Sequence, residues 1–247
     1  MRPMVAECPA DVQPEPAMPQ PTTALPHFRH AALMGATGLV GRHLLPRLAR
    51  QFERVTVFGR REPARMPLNA SWIRTDFTDP GALDLSGVDQ AFITFGTTMA
   101  TAGSRADFRA VDLDMPYGFA NAARAAGTER LFLVSAVGAD PESWIFYNRV
   151  KGELERELEK LRFPSLVIFR PSLLLGEHPG RAMEQLSQLA LTPFRRWLPA
   201  TARPIEADEL AQAICNSAAS APEGTHLLMG ADLWQLVKAP VPRQRDQ

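Results

Sequence analysis

Residues 30–45 read HAALMGATGLVGRHLL, and this stretch decides the fold. Ala31-Ala32-Leu33-Met34 is a short apolar run of the kind that forms a buried strand. It stops at Gly35. Gly38 and Gly41 follow at three-residue steps, and Leu44, Leu45 and Leu48 then recur at helical spacing. A strand, a glycine-rich turn and a helix start, in that order, make a seat for a dinucleotide pyrophosphate. Gly35 lets the chain turn where a β-carbon would clash. Gly38 lets the backbone approach the pyrophosphate, and Gly41 lets the helix pack on the strand. The first-turn amides and the helix dipole then face the anion. The spacing is Gly-x-x-Gly-x-x-Gly rather than the commoner Gly-x-Gly-x-x-Gly, and taken alone it also fits a tight turn with no ligand. The candidate cofactor contacts here are Gly35, Thr37, Gly38, Leu39, Val40 and Gly41.

Moving outward, the helix predicted over 39–51 leads to a second strand, Arg54 to Arg60, which is β-branched and apolar. Arg60 and Arg61 end it, about 25 residues after Gly35. An acidic residue near this point would bind the ribose 2′-hydroxyl of NAD, whereas an arginine accommodates the 2′-phosphate of NADP. No Asp or Glu stands in 58–61, so the sequence favours NADP(H) over NAD(H); two solvated arginines are the alternative. Arg42 at the helix start is a further candidate. A third strand, Ser71 to Thr75, ends at Asp76-Phe77, and both residues join the cofactor set, with Asp76 placed to accept from the adenine amino group. Asp79 before Pro80 reads as a cap of a short helix. A fourth strand, Gln90 to Phe95, ends in Gly96-Thr97-Thr98. Small residues there admit a ribose or nicotinamide, and Thr94 and Gly96 are the candidates. One long helix is predicted from Arg105 to Ala126, ended by Gly127.

The second strong signal lies downstream. Arg130-Leu131-Phe132-Leu133-Val134 is a strand that ends in Ser135, and the next helix carries Tyr147-Asn148-Arg149-Val150-Lys151. Four residues put Tyr147 and Lys151 on one face, one turn apart. The chain has two tyrosines and lysines only at 151, 160 and 238, so chance would supply about 0.02 such pairs. Val150, Leu154, Leu158 and Leu161 continue an apolar stripe along the same helix. A phenol with a pKa of about 10 is a poor acid–base group at neutral pH. A nearby ammonium stabilises the phenolate. Lys151 can do this while bonding a cofactor ribose, so both Tyr147 and Lys151 also belong to the cofactor set. Ser135 can hold a substrate carbonyl or hydroxyl. Tyr147 can then move the proton as hydride passes to or from nicotinamide.

Together the glycine loop, Ser135 and Tyr147-x-x-x-Lys151 resemble the short-chain dehydrogenase/reductase superfamily, over residues 30–236. The glycine spacing and Arg170-Pro171 are similar to its extended and atypical branches. Val134-Ser-Ala-Val-Gly-Ala-Asp140 and Tyr147-Asn-Arg-Val-Lys-Gly-Glu153 resemble the Tat-interacting oxidoreductase-like proteins, an NADPH-binding atypical group. The resemblance implies an α/β Rossmann fold, a doubly wound parallel sheet of about seven strands in order 3-2-1-4-5-6-7. It also implies NADPH at the glycine loop and Ser135, Tyr147 and Lys151 as the catalytic set. Extended members often have an asparagine where this chain has Asp112. Their substrate domain is also larger than the lobe within 172–239.

Composition bounds the rest. Charge balances at 27 acidic and 27 basic residues, so nothing calls for nucleic acid. Cys8 and Cys215 sit far apart, which gives no disulfide framework, and neither cysteines nor histidines show metal-ligand spacing. No apolar run reaches the roughly 18 residues of a transmembrane helix. No apolar signal core begins the chain, and the cytoplasm is the expected compartment. Residues 1–29 hold seven of the 22 prolines and read as a disordered tail. Residues 30–239 form the ordered domain, and 240–247 a loose end. A loop over 176–180 is expected to border the substrate pocket, and a helix over 186–197 reads as a plain surface helix, with a lid, an anion-binding edge or a membrane-surface contact as alternatives. A strand over 225–229 and a helix over 207–219 are expected as well. Asp208 is expected to serve that helix's N-terminus.

The sequence thus points to an NADPH-dependent oxidoreductase on a small carbonyl or alcohol. Two alternatives use the same residues. One is a non-catalytic NADP(H)-binding regulator or assembly factor acting through protein partners, and the other is an epimerase or dehydratase with tightly held cofactor. A protein partner or a homodimer stays open.

Overall fold

The computed structural model describes residues 29–176, 203–220 and 223–239. Among these, seven parallel strands form one sheet. They are β1 (His30–Met34), β2 (Arg54–Gly59), β3 (Ala70–Arg74), β4 (Gln90–Ile93), β5 (Arg130–Val134), β6 (Ser165–Arg170) and, after a separate two-strand pair, β9 (Gly224–Met229). The pair is β7 (Leu174–Leu175) with β8 (Ile205–Glu206). The sheet order is β3-β2-β1-β4-β5-β6-β9, the doubly wound order that the family resemblance implies. The order reverses between β1 and β4, which places the crevice for a ligand at their carboxyl ends.

Helices cover both faces, so β1 is buried along its whole length. Alternation along the strand sends Leu33 to one face and Ala32 and Met34 to the other. On the first face Leu33, Val55, Val57 and Phe92 pack against α1 (Gly41–Gln51) and α6 (Ala207–Ser220) through Leu44, Leu48, Leu210 and Ile214. On the second, Met34, Phe58, Ile93 and Leu133 meet α4 (Met115–Ala125) and α5 (Phe146–Lys160) through Phe119, Val150, Leu154 and Leu158. The apolar stripe seen in the sequence is therefore the inner face of α5. Asp208 lies in the first turn of α6, as expected, and also ties α6 to α1. Its carboxylate pairs with Arg47 at 2.9 Å and with the His43 ring at 3.2 Å.

The helix predicted over 105–126 is interrupted. After α2 (Met99–Ala102), α3 (Arg105–Arg109) runs into a π turn over Ala110–Asp114 and then into α4. One residue more per turn changes no residue type, so periodicity gave no warning of it. The expected tails, the loop beyond Gly176 and the helix over 186–197 lie outside the described residues, whereas the strand expected over 225–229 and the helix expected over 207–219 appear as β9 and α6.

Candidate functional site

The site begins where β1 ends. Gly35 takes φ +98, a left-handed value that a side chain disfavours, and a β-carbon on it would lie 2.7 Å from the Phe95 nitrogen. A β-carbon on Gly41 would lie 2.0 Å from the Gly35 oxygen, so the loop closes only with glycine at both positions. The Gly38 amide donates to the Gly35 oxygen at 3.0 Å. Helix α1 starts with no side-chain cap and no acidic residue in its first turn, which keeps its positive end open to an anion. Thr37 is exposed on this loop and Leu39 half-buried, whereas the Val40 side chain is 3 % exposed and belongs to the core. Val40 thus has only its backbone to offer a ligand. Thr94 braces the loop by donating to the Met34 and Gly35 oxygens at 3.2 and 3.3 Å.

On the β2–β3 side, a cavity of about 520 Å³ is lined by Arg60, Arg74, Thr75, Asp76, Asp79 and Ala82. Parallel register sets Arg74 opposite Gly59, next to Arg60. Sequence reading missed Arg74, because its neighbour is supplied by strand pairing rather than by spacing. Arg61, also expected here, is exposed and does not line the cavity, where Arg74 stands beside Arg60. The Arg60 guanidinium lies over the Phe95 ring, 6.0 Å from its centroid. No ion pair joins either arginine to a carboxylate among the described residues. Asp79 caps the turn at Pro80 through the Gly81 amide, as the sequence indicated. Asp76 accepts from the Thr78 hydroxyl at 2.7 Å and amide at 3.0 Å. Those bonds hold its carboxyl below the usual carboxylate range. Phe77 stands at φ +63 with its ring packed on Phe95 and Phe119, so it too can offer a ligand only backbone.

On the β4–β6 side the structure brings together the groups that the sequence kept apart. Tyr147 is half-buried at the start of α5, with its ring against Phe108 at 5.6 Å. One turn on, Lys151 is 4 % exposed. Its ammonium meets the Asp112 Oδ1 at 2.6 Å, and Asp112 is fully buried. Burial alone would push the Lys151 pKa down. The negative charges of Asp112 and Glu155 and the neighbouring Tyr147 outweigh burial, so it is raised. The π turn aims Asp112 inward, where its Oδ2 also accepts from the Thr97 amide at 2.8 Å.

Ser135, at the end of β5, is 6 % exposed and donates its hydroxyl to Glu155. Glu155 in turn accepts from the Arg170 Nε at 3.0 and 3.2 Å, and the two form an ion pair in which the carboxylate is buried and the guanidinium partly so. Glu155 and Arg170 were not singled out as site residues. The available signal for Glu155 was a glutamate four residues after Lys151, one position along the α5 stripe from Leu154.

These residues fit a nicotinamide dinucleotide. A glycine loop lies at an open helix start, two adjacent arginines line a cavity, and a lysine lies against Gly96 after β4 with a tyrosine one helical turn before it. Among the described residues, no group of three His, Cys, Asp or Glu side chains gathers as a metal site, and no helix is long and apolar enough to cross a membrane.

Comparison with known proteins agrees with this geometry. A family described as NAD(P)H-binding matches residues 35–179. Protein FMP52-1, mitochondrial, of Scheffersomyces stipitis is 34% identical over 197 residues, covering 76% of this chain and 87% of its own. Protein FMP52, mitochondrial, of Debaryomyces hansenii is 36% identical over 196 residues, covering 74% and 84%. Among solved structures, MoeE5 in complex with UDP-glucuronic acid and NAD superposes with a TM-score of 0.63 at 18% identity, covering 81% of this chain and 76% of its own. The UDP-glucose 4-epimerase of Thermotoga maritima with UDP-glucose gives 0.63 at 12% identity, covering 85% and 81%. At such identities these two show the shared fold. The cytoplasmic location expected from the sequence does not stand, because the relatives are mitochondrial by name. That expectation rested on sparse cysteine and the lack of an apolar signal core, features common to proteins of any reducing compartment.

Proposed function

This chain belongs to the NAD(P)H-binding family and has the Rossmann fold of the atypical short-chain dehydrogenase/reductases, and from that premise we propose that it is an NADP(H)-dependent oxidoreductase acting on a small carbonyl or alcohol. The observation that carries the reading is the placement of Tyr147 and Lys151, one turn apart on α5. Lys151 also lies against Gly96 at the end of β4, beside the glycine loop.

The bound dinucleotide supplies or takes up the hydride. The chain does the rest. Tyr147 gives a proton to, or takes one from, the reacting substrate oxygen. Lys151 sets a positive charge beside the phenol, which favours its anionic form during transfer. Ser135 positions the same oxygen. Arg60 and Arg74, adjacent and with no carboxylate partner among the described residues, suit a 2′-phosphate, and this supports NADP(H) over NAD(H). The names of the relatives support a mitochondrial place of work.

The test is Tyr147→Phe, assayed on a panel of aldehydes and ketones with NADPH consumption as the readout. Turnover is expected to fall by about 10²- to 10⁴-fold while NADPH affinity stays near wild type. Undiminished turnover would remove Tyr147 from the reaction. A second reading, a non-catalytic NADP(H)-binding regulator or assembly factor, is favoured by one observation: the Ser135 hydroxyl proton is given to Glu155 rather than held open for substrate. That reading expects no turnover on the whole panel.

A further inference from the structure

The function proposed above gives Asp112 no part, yet its carboxylate is fully buried beside the Lys151 ammonium. It sits in the π turn, and its two oxygens meet two partners: Oδ2 accepts from the Thr97 amide at 2.8 Å, and Oδ1 forms an ion pair with the Lys151 ammonium at 2.6 Å. The space around the pair is closed. A β-carbon on Gly96 would lie 3.2 Å from the Asp112 Oδ1 and 3.4 Å from the Lys151 Nζ. An asparagine at 112 has one acceptor oxygen and an NH2 group, so it can satisfy one of these donors and must turn a donor toward the other. A carboxylate satisfies both.

The charges facing Lys151 can all be named. From the π turn comes Asp112; from its own helix come Tyr147 and Glu155. Arg170, on β6, is held by Glu155, and Ser135, on β5, donates to the same carboxylate. Glu155 is therefore already matched by Arg170. Asp112 is the anion left to Lys151.

We propose that Asp112 is a positioning residue of the site: its buried carboxylate fixes the Lys151 ammonium beside Gly96 and Thr97 and keeps it in the charged form that the reaction uses. The alternative for a lysine so deeply buried is to lose its proton, since burial disfavours the charged form. The inference rests on the oxidoreductase reading for its purpose, but its charge chemistry is measurable without turnover.

The experiment follows the side-chain carbon-13 signals of the lysines through a pH titration of the full chain with its cofactor. With lysines only at 151, 160 and 238, Lys151→Met identifies the signal of interest. In Asp112→Asn, Lys151 is expected to lose its proton about one to two pH units below wild type, while Lys160 and Lys238 titrate unchanged. The alkaline limb of the kcat/KM profile is expected to move down with it. A Lys151 titration unaltered by Asp112→Asn overturns the proposal. Should that variant fail to fold, wild type alone decides: Lys151 must hold its proton to a higher pH than the exposed Lys160 and Lys238, and earlier loss overturns the proposal. Failure of the oxidoreductase reading looks different. Tyr147→Phe would then keep its turnover, while the lysine titration still reports on Asp112.

Discussion

Arg60 and Arg74, at the β2–β3 end of the sheet, line an open cavity with no ion pair among the described residues, whereas Lys151 and Arg170, toward β4–β6, are each locked to a buried carboxylate. The difference follows from what each end is built to meet. Two adjacent guanidinium groups repel each other, and that cost is relieved when an anion arrives between them. At the other end the charges are cancelled inside the protein, so they fix geometry instead of recruiting a ligand. In the function proposed above, the first end awaits the cofactor phosphate, whereas the second is already paired within the protein.

Breaking a completed pair should cost the most. Glu155→Ala leaves Arg170 without its partner and Ser135 without its acceptor, and it should lower folding stability by about 3 kcal/mol or more. Urea unfolding monitored by tryptophan fluorescence measures this. A loss below about 1 kcal/mol would place the pair among surface ion pairs and end the contrast between the two regions.

The open end should respond differently, in binding rather than in folding. Arg74→Ala is expected to weaken NADPH by about tenfold, because a charge-assisted bond to phosphate is worth roughly 1.5–3 kcal/mol. NADH affinity and the unfolding midpoint should stay near wild type, since Arg74 is exposed and bonded to no described carboxylate. Equal weakening of NADH would mean that Arg74 acts on the cavity as a whole and not on the 2′-phosphate.

The same contrast explains how far the sequence could be read. The glycine loop and the Tyr147–Lys151 pair are local patterns. A turn and one helical repeat suffice to place their residues, and both appear at the expected positions. The strand order was legible only through the family resemblance that these motifs carry, and the sheet has that order. What escaped is long-range. Arg74 acquires its neighbour from the pairing of β2 with β3. Asp112 reaches Lys151 across 39 positions, by way of a π turn that no periodicity announces. Glu155 meets Arg170 only when α5 packs on β6. The mitochondrial names of the relatives could not be anticipated from composition, because charge balance and cysteine content do not separate reducing compartments.

The central claim is that the open arginine pair makes this an NADP(H) site within a fold that serves either dinucleotide. It is tested most directly by titrating the wild-type protein with NADPH and with NADH under one set of conditions, and repeating both with Arg60→Glu. Binding of NADPH at least about tenfold tighter than NADH, with the preference abolished in the variant, is the predicted result. Equal affinities, or tighter NADH in wild type, would contradict it and leave the two arginines as solvated surface charge.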